Sequence, residues 1–239
     1  MRILITNDDS IHSPVLPHLV KWAQKLGEVE LFAPKVEQSG KSHGIELHQA
    51  FEVKPVDFGG IEAYTVDSTP ADCVRFAVLG LHRKYDLVIS GINKGLNIGY
   101  DIIYSGTVGA IFEANALGIP AIALSTDPSS FEPALSQLDA VLEFFKEHRL
   151  MEKCSLYNVN FPLEFKGIRI TRQGGPFYSD DFEPIGNHMY MPRGKQVYQD
   201  AYDYTVDTDA SLHGYVSITP MNMNRTCMDV FQDLQHLNG

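Results

Sequence analysis

The chain contains 239 residues, of which 44% are hydrophobic and 21% are charged. This length suits one large α/β domain with an appendage, which can fold without disulfides or a structural metal. The 30 acidic and 19 basic side chains give a net charge of −11. Such acidity argues against a nucleic-acid polymer or an anionic membrane as the partner. A small anionic substrate remains compatible, because a local site can reverse the sign of the charge.

The cellular setting is indicated by the cysteines and by the N-terminus. The three cysteines are far apart and form no Cys-x-x-Cys pair, which argues against a disulfide framework or a thiolate zinc site: Cys73, Cys154 and Cys227. No apolar run approaches the ~18 residues of a membrane span. The first residues lack the apolar region and cleavage site of a signal peptide. We therefore expect a cytoplasmic protein that does not bind membranes.

Short apolar runs alternate with helical patterns through the first two thirds of the chain. Strands are predicted at 2–6, 29–33, 86–90 and 120–125, and helices at 14–26, from Pro70 onward, at 107–117 and at 133–148. A period of two between residues 45 and 67 indicates hairpin-like strands. Strands that alternate with helices in this way predict a mostly parallel sheet covered on both faces.

The pattern changes after Cys154. Strands are predicted at 156–161, 167–172 and 215–219, and a closing helix at 226–237. Between them, residues 176–207 are rich in Tyr, Asp, Gly and Pro and show little helical period. This stretch is therefore predicted to form a protruding β-hairpin arm.

Polar residues follow the first three predicted strands of the sheet. Asp8 and Asp9 follow the first strand, Ser39 the second and Asn93 the third. Ligands of open parallel sheets bind outside the carboxyl ends of the strands, so these side chains are expected at one edge. An all-oxygen set suits a hard divalent cation such as Mg²⁺ or Mn²⁺. The alternative for the acidic pair is a helix cap or Asx turn, although adjacent carboxylates repel unless a cation or donors offset them.

Residues 104–110 place small and hydroxylated side chains directly before a helix. Backbone N–H groups and the positive end of the helix dipole make such a position suitable for an anion. We expect Ser105, Gly106 and Thr107 to hold phosphate oxygens, with Asn97 assisting. The alternative is an ordinary Ser/Thr N-cap. The chain contains no P-loop, dinucleotide-binding fingerprint or nucleophile elbow.

Eight short blocks resemble the SurE survival-protein nucleotidases. They come in the order of that family and span residues 1 to about 220. The blocks are Ile5-Thr6-Asn7-Asp8-Asp9, Ser39-Gly40, Thr69-Pro70-Ala71-Asp72-Cys73-Val74, Ser90-Gly91-Ile92-Asn93 with Gly95 and Asn97, Tyr104-Ser105-Gly106-Thr107-Val108-Gly109-Ala110, Gly118-Ile119-Pro120, Asn158-Val159-Asn160-Phe161-Pro162 and Gly214-Tyr215-Val216-Ser217-Ile218-Thr219-Pro220.

The resemblance implies a divalent-metal-dependent phosphatase that hydrolyses nucleoside 5′- and 3′-monophosphates. It implies that Asp8, Asp9, Ser39 and Asn93 hold one Mg²⁺ or Mn²⁺ per subunit. It also implies a Rossmann-like three-layer α/β sandwich with an extended arm that is exchanged in a homodimer or homotetramer. The expected division is a catalytic domain at 1–175, the arm at 176–210, and a strand and helix at 211–239 that return to the core or to a partner subunit.

Two residues depart from the family pattern. Ser10 stands where glycine usually follows the acidic pair, and Ser68 stands where glycine usually precedes Thr-Pro-Ala-Asp. Neither change removes an expected metal ligand, so activity is expected to persist.

The mechanism expected from these residues is hydrolysis by a metal-activated water, with Asp8 or Asp9 orienting the water. One alternative is a nucleotide-binding protein without catalysis. Another is a phosphoacceptor signalling module. That class needs an Asp after a central strand, where this chain has Ser90-Gly91-Ile92-Asn93. It also needs a Lys after the next strand, where this chain has Thr126-Asp127-Pro128.

Overall fold

The computed structural model describes residues 1–237. Nine strands of this part of the chain form one sheet. These strands are β1 (Arg2–Thr6), β2 (Glu28–Pro34), β3 (Val53–Phe58), β4 (Ile61–Val66), β5 (Leu87–Lys94), β6 (Ala121–Thr126), β7 (Leu156–Phe161), β8 (Ile168–Ile170) and, after a separate hairpin, β11 (Val216–Pro220). The hairpin consists of β9 (Tyr178–Gly186) and β10 (Met189–Gln196).

The sheet is mixed but mostly parallel, which confirms the predicted α/β class. Its strand order is β3-β4-β2-β1-β5-β6-β7-β11-β8. Six adjacent strands of this order, β4-β2-β1-β5-β6-β7, are parallel to one another. In contrast, β3 pairs antiparallel with β4, and β11 pairs antiparallel with β7. The antiparallel pair β3–β4 also confirms the hairpin predicted between residues 45 and 67.

Helices cover both faces of the sheet. The helices are α1 (Leu16–Ala23), α2 (Pro70–Arg75), α3 (Gly106–Ala116), α4 (Glu132–Glu147), α5 (Leu150–Lys153), α6 (Asp207–Leu212) and α7 (Met228–Asp233). Apolar residues of α1 and α4 belong to one hydrophobic cluster, and those of α2 and α3 belong to a second cluster. The sheet therefore lies between two helical layers, as a three-layer sandwich. Within residues 1–237, no helix is both long and apolar enough to cross a bilayer.

Three elements differ from the sequence prediction. Strand β5 does not end at residue 90 but continues to Lys94, and its register against β6 shifts between Ser90 and Asn93. Helix α6 lies in and beyond the stretch predicted as arm; its six residues are too few to show a helical period. The predicted helix at 226–237 is α-helical only over α7, and a 3₁₀ turn follows at Leu234–Leu237. The last two residues of the predicted segment 211–239 lie outside the described residues.

The separate hairpin has two chemically different faces. Cross-strand partners share a face, and Phe182 pairs with Pro192 while Tyr190 pairs with Pro184. Arg193 lies on the opposite face, where its Nε donates to Glu183 Oε2 at 2.8 Å. Phe182 and Tyr190 are each 63% exposed. The hairpin thus presents aromatic rings and prolines on one side, and the Arg193–Glu183 pair together with Ile185 and Met191 on the other.

The amino end of the sheet contains a buried carboxylate with several partners. Glu30 is 1% exposed, and its Oε1 accepts from Arg2 Nε at 2.7 Å. Its Oε2 accepts from Tyr85 OH at 2.7 Å and also from the Arg83 guanidinium. These donors compensate the buried charge of Glu30, which thus links β1, β2 and the residues just before β5 at the edge opposite the predicted site.

Candidate active site

Four chain segments meet at the carboxyl edge of the sheet. Strand β1 lies between β2 and β5, so the residues that follow these strands are neighbours. Gln38 N donates to Asp8 O at 2.8 Å, and Lys94 N donates to Asp9 Oδ2 at 3.3 Å. The fourth segment is the start of α3, where Thr107 Oγ1 donates to Asp8 Oδ1 at 2.6 Å.

Asp8 packs directly against the N-terminus of α3. It is 4% exposed, and its carboxylate accepts the hydroxyl of the fully buried Thr107. A Cβ at position 106 would lie 3.1 Å from Asp8 Cβ and 3.3 Å from Asp8 Oδ2. Glycine at position 106 therefore permits the close approach of the carboxylate to the helix terminus, where the dipole and backbone N–H groups favour negative charge.

The two adjacent carboxyl groups resist ionisation. Burial raises the pKa of Asp8, although the hydrogen bond from Thr107 opposes the rise. Burial, and next the charge of Asp8, raise the pKa of Asp9 to about 6. Burial is the largest cause of both rises, because it keeps a negative charge away from water. A cation bound between these groups would remove the penalty, so their chemistry fits a cation site.

The remaining predicted ligands have oxygen atoms available. Asn93 Nδ2 donates to Gly95 O at 2.7 Å, which leaves Asn93 Oδ1 as the atom for a cation. Ser39 lies on an exposed loop, and its hydroxyl donates to Glu37 Oε1 at 2.6 Å, which leaves the oxygen lone pairs free to accept. Within residues 1–237, no group of three or more His, Cys, Asp and Glu side chains could hold a metal ion. A site at this edge therefore depends on amide and hydroxyl oxygens beside the two carboxylates.

The predicted phosphate-binding residues lie in two locations: three at the N-terminus of α3, and Asn97 against the sheet. Ser105 Oγ accepts from Val108 N at 3.1 Å, so Ser105 is the N-cap of α3, beside Gly106 and Thr107 at the same terminus. Asn97 is turned toward the sheet, where its Nδ2 donates to Ser125 Oγ at 2.8 Å. The backbone of the α3 terminus thus faces the acidic pair, whereas one amide hydrogen of Asn97 is already occupied.

Ser10 and Ser68, the two residues that depart from the family pattern, each take part in a local hydrogen bond. Ser10 adopts φ 76°, a left-handed conformation that glycine takes without steric cost. Its carbonyl oxygen accepts from Asn7 Nδ2 at 2.8 Å. Ser68 donates its hydroxyl to Asp72 Oδ2 at 2.5 Å, which adds a bond that glycine lacks.

The left-handed backbone conformation at position 10 limits which side chains this turn tolerates. We expect Ser10→Gly to change the free energy of unfolding by no more than about 1 kcal/mol, because relief of the left-handed strain offsets the entropy lost by glycine. We expect Ser10→Val to destabilise the protein by about 1–3 kcal/mol, because a β-branched residue is poorly compatible with this φ. Urea unfolding of both variants checks the prediction; equal stability of the two would contradict it.

Three buried polar residues near the site were given no role from the sequence, although two of them belong to the block at 158–162. Asn158 and Asn160 of β7 and Asp207 of α6 are at most 1% exposed and bond to the segment between β5 and α3. Two asparagines in an otherwise apolar strand were a usable signal, since buried amides need partners. The local sequence around Asp207 carried no comparable signal.

The fold and the candidate site together define an open α/β protein with an acidic pair beside a helix N-terminus at the carboxyl edge of its sheet. The profile of the family described as "Survival protein SurE" matches residues 3–180. The chain belongs to the SurE family.

Relatives of similar length support this assignment. The 5′-nucleotidase SurE of Alkaliphilus metalliredigens is 38% identical, and the match covers 100% of this chain and 99% of the relative. The 5′-nucleotidase SurE 1 of Thermus thermophilus is 39% identical, with 99% and 98% covered. The crystal structure of the SurE protein from Aquifex aeolicus is similar with a TM-score of 0.80 and 32% identity, over 100% of both chains.

Proposed function

We propose that this protein is a divalent-metal-dependent phosphatase that hydrolyses nucleoside 5′- and 3′-monophosphates to nucleoside and phosphate. The observation that carries the proposal is the contact between the acidic pair and the terminus of α3, with Thr107 bonded to Asp8 at 2.6 Å. The contact supports the proposal because carboxylates suited to a cation lie next to a helix terminus suited to an anion. The names of the relatives, which are 5′-nucleotidases, support nucleotides as the substrate class.

The proposed cofactor is one Mg²⁺ or Mn²⁺ per subunit, held by Asp8, Asp9, Ser39 and Asn93. When bound, such an ion neutralises phosphoryl oxygens and lowers the pKa of a water molecule. The fit rests on the oxygen-only donor set and on two carboxyl groups whose pKa values are raised by burial, that of Asp9 also by the charge of Asp8.

The protein's own groups have two tasks in this reaction. Backbone N–H groups of Gly106 and Thr107 bind phosphate oxygens at the positive end of α3 and so hold phosphorus in line for attack. Ser105 contributes through its hydroxyl hydrogen, because its backbone N–H donates to Ile102 O at 3.2 Å. Asp8 or Asp9 accepts a hydrogen bond from the attacking water and orients it. Thr107 fixes the rotamer of Asp8, because its hydroxyl occupies Asp8 Oδ1.

Phosphate release from a panel of nucleoside monophosphates tests the proposal. The panel contains purine and pyrimidine 5′- and 3′-nucleotides, and it includes p-nitrophenyl phosphate as an ester without a nucleoside. We expect hydrolysis with Mg²⁺ or Mn²⁺, loss of activity in EDTA and recovery when either ion is restored. Activity that survives EDTA would refute metal dependence, and nucleotide binding without phosphate release would favour a non-catalytic nucleotide-binding protein.

We also propose that the hairpin β9–β10 joins subunits in a homodimer or homotetramer. A two-stranded hairpin is at best marginally stable alone in water, and this one exposes aromatic side chains on a single face. Exposed apolar patches of this kind mark protein interaction surfaces. A second copy of the chain presents an identical hairpin, and two such faces can pack together with the charged faces outside.

A further inference from the structure

The segment between β5 and α3 connects two parts of the proposed site. It begins beyond Asn93, runs through a 3₁₀ turn at Gly99–Tyr104 and ends at the N-cap Ser105. Any shift of this segment changes the distance between the proposed metal ligand and the proposed phosphate-binding backbone. The groups that hold the segment therefore influence the geometry of the reaction.

At Asn97 the main chain is held by two side chains of β7. Asn97 N donates to Asn160 Oδ1 at 2.8 Å, and Asn97 O accepts from Asn160 Nδ2 at 3.0 Å. Asn158 Nδ2 also donates to Asn97 O, at 2.8 Å. Because β5 ends at Lys94, these amides take the place of a strand partner for buried backbone groups that would otherwise be unpaired.

Two residues further along, a buried carboxylate holds the same segment. Gly99 N lies 3.2 Å and 3.1 Å from the two oxygens of Asp207. Asp207 Oδ1 also accepts from Gly174 N at 2.7 Å. Gly99 has φ 58°, and a Cβ there would lie 2.2 Å from Gly175 O. Asp207 thus joins the segment to the chain that leads into the hairpin.

Apolar side chains would fill these interior positions and add hydrophobic stabilisation. Buried polar groups instead specify one backbone arrangement, because their bonds have fixed directions. We propose that Asn160 and Asp207 are positioning residues for phosphoryl transfer, which hold the main chain at Asn97 and Gly99 and thereby fix Ser105–Thr107 relative to Asn93. This inference rests on the proposed phosphatase function.

Two variants test the inference. Asn160→Ala removes two of the three bonds to the Asn97 main chain and leaves the one from Asn158. Asp207→Asn keeps the size of the side chain but leaves one acceptor oxygen, so an NH₂ group faces a backbone N–H. Asn115→Ala is the matched control, because it removes one amide bond, to Ser155 Oγ at 2.8 Å, on the same helix that the segment leads into.

Hydrogen exchange and steady-state kinetics are measured on each full-length protein. We expect peptides covering 95–105 to exchange at least tenfold faster in both variants, while peptides of β1 and β6 keep wild-type rates. We expect kcat/KM for a nucleoside 5′-monophosphate to fall tenfold to about a hundredfold, since ångström-scale misplacement of reacting groups has effects of that size. The inhibition constant of inorganic phosphate should rise tenfold, and the control should stay within twofold of wild type.

The outcomes separate this inference from the proposed function. Faster exchange in 95–105 with unchanged kcat/KM in the Asp207→Asn variant would refute the positioning role. Faster exchange spread evenly over β1 and β6 would also refute it, because the residues would then be general stabilisers. A wild-type protein that releases no phosphate from any nucleotide would refute the proposed function itself.

Discussion

The variant Asp8→Asn is expected to lose at least 99% of the phosphatase activity, with the fold intact. Asparagine keeps the shape of the side chain and can still accept the hydroxyl of Thr107, which donates to Asp8 Oδ1 at 2.6 Å. It removes the negative charge that would hold the cation, and loss of one preorganised electrostatic group at a reaction centre lowers kcat by about 10²–10³-fold. Phosphate release at saturating Mg²⁺ or Mn²⁺ measures the effect, and circular dichroism confirms the fold.

A matched control is available at the opposite end of the sheet. Asp86 accepts from Arg2 N at 2.7 Å, and Asp86→Asn makes the same chemical change far from the α3 terminus. We expect this control to retain wild-type kcat. Near-normal turnover in Asp8→Asn would refute the assignment of Asp8 as a metal ligand.

The hairpin variant with both Phe182→Glu and Tyr190→Glu is expected to be monomeric. Both rings are 63% exposed in one chain and lie on the same face of the ribbon. Burial of an aromatic side chain contributes about 1.5–3 kcal/mol, so two charges placed on each copy of this face should abolish association. Light scattering after size exclusion checks the prediction; the wild type should show the mass of two or four chains.

The opposite face of the same hairpin supplies the control. Glu183→Gln changes a residue that is paired with Arg193 on the charged side, and exposed ion pairs contribute little. We expect this variant to assemble like the wild type. If the double variant also assembles normally, the hairpin is not the interface.

Local patterns were sufficient to predict the sheet and the edge where the site lies. The apolar run before Asp8 and the one before Ser39 each predicted a buried strand, and parallel strands bring their carboxyl ends together. The glycine and hydroxyl residues at 105–107 likewise predicted a helix start, which the structure places against Asp8. Asn93 was correctly expected at the same edge, although it lies within β5 and not after it.

Features that depend on distant partners were not predictable in this way. The main chain of Asn97 is held by Asn160, 63 residues away, and no local pattern reveals such a pairing. The role of Asp207 depends on Gly99, 108 residues away. Helix α6 is only six residues long, so its burial against the sheet, and not its own periodicity, determines that it forms.

Two of the buried carboxyl groups of this protein, Glu30 and Asp8, have opposite effects on its stability. Glu30 is surrounded by cationic and hydroxyl donors, so loss of its charge would weaken the fold. Burial raises the pKa of Asp8, which means that above this pKa the folded protein holds an ionised group at a cost in free energy. Asp8→Asn keeps an acceptor for Thr107 and removes this cost, so we expect it to raise the melting temperature of the metal-free protein. Under the proposed function, the carboxylate at this position therefore exchanges some stability for catalysis.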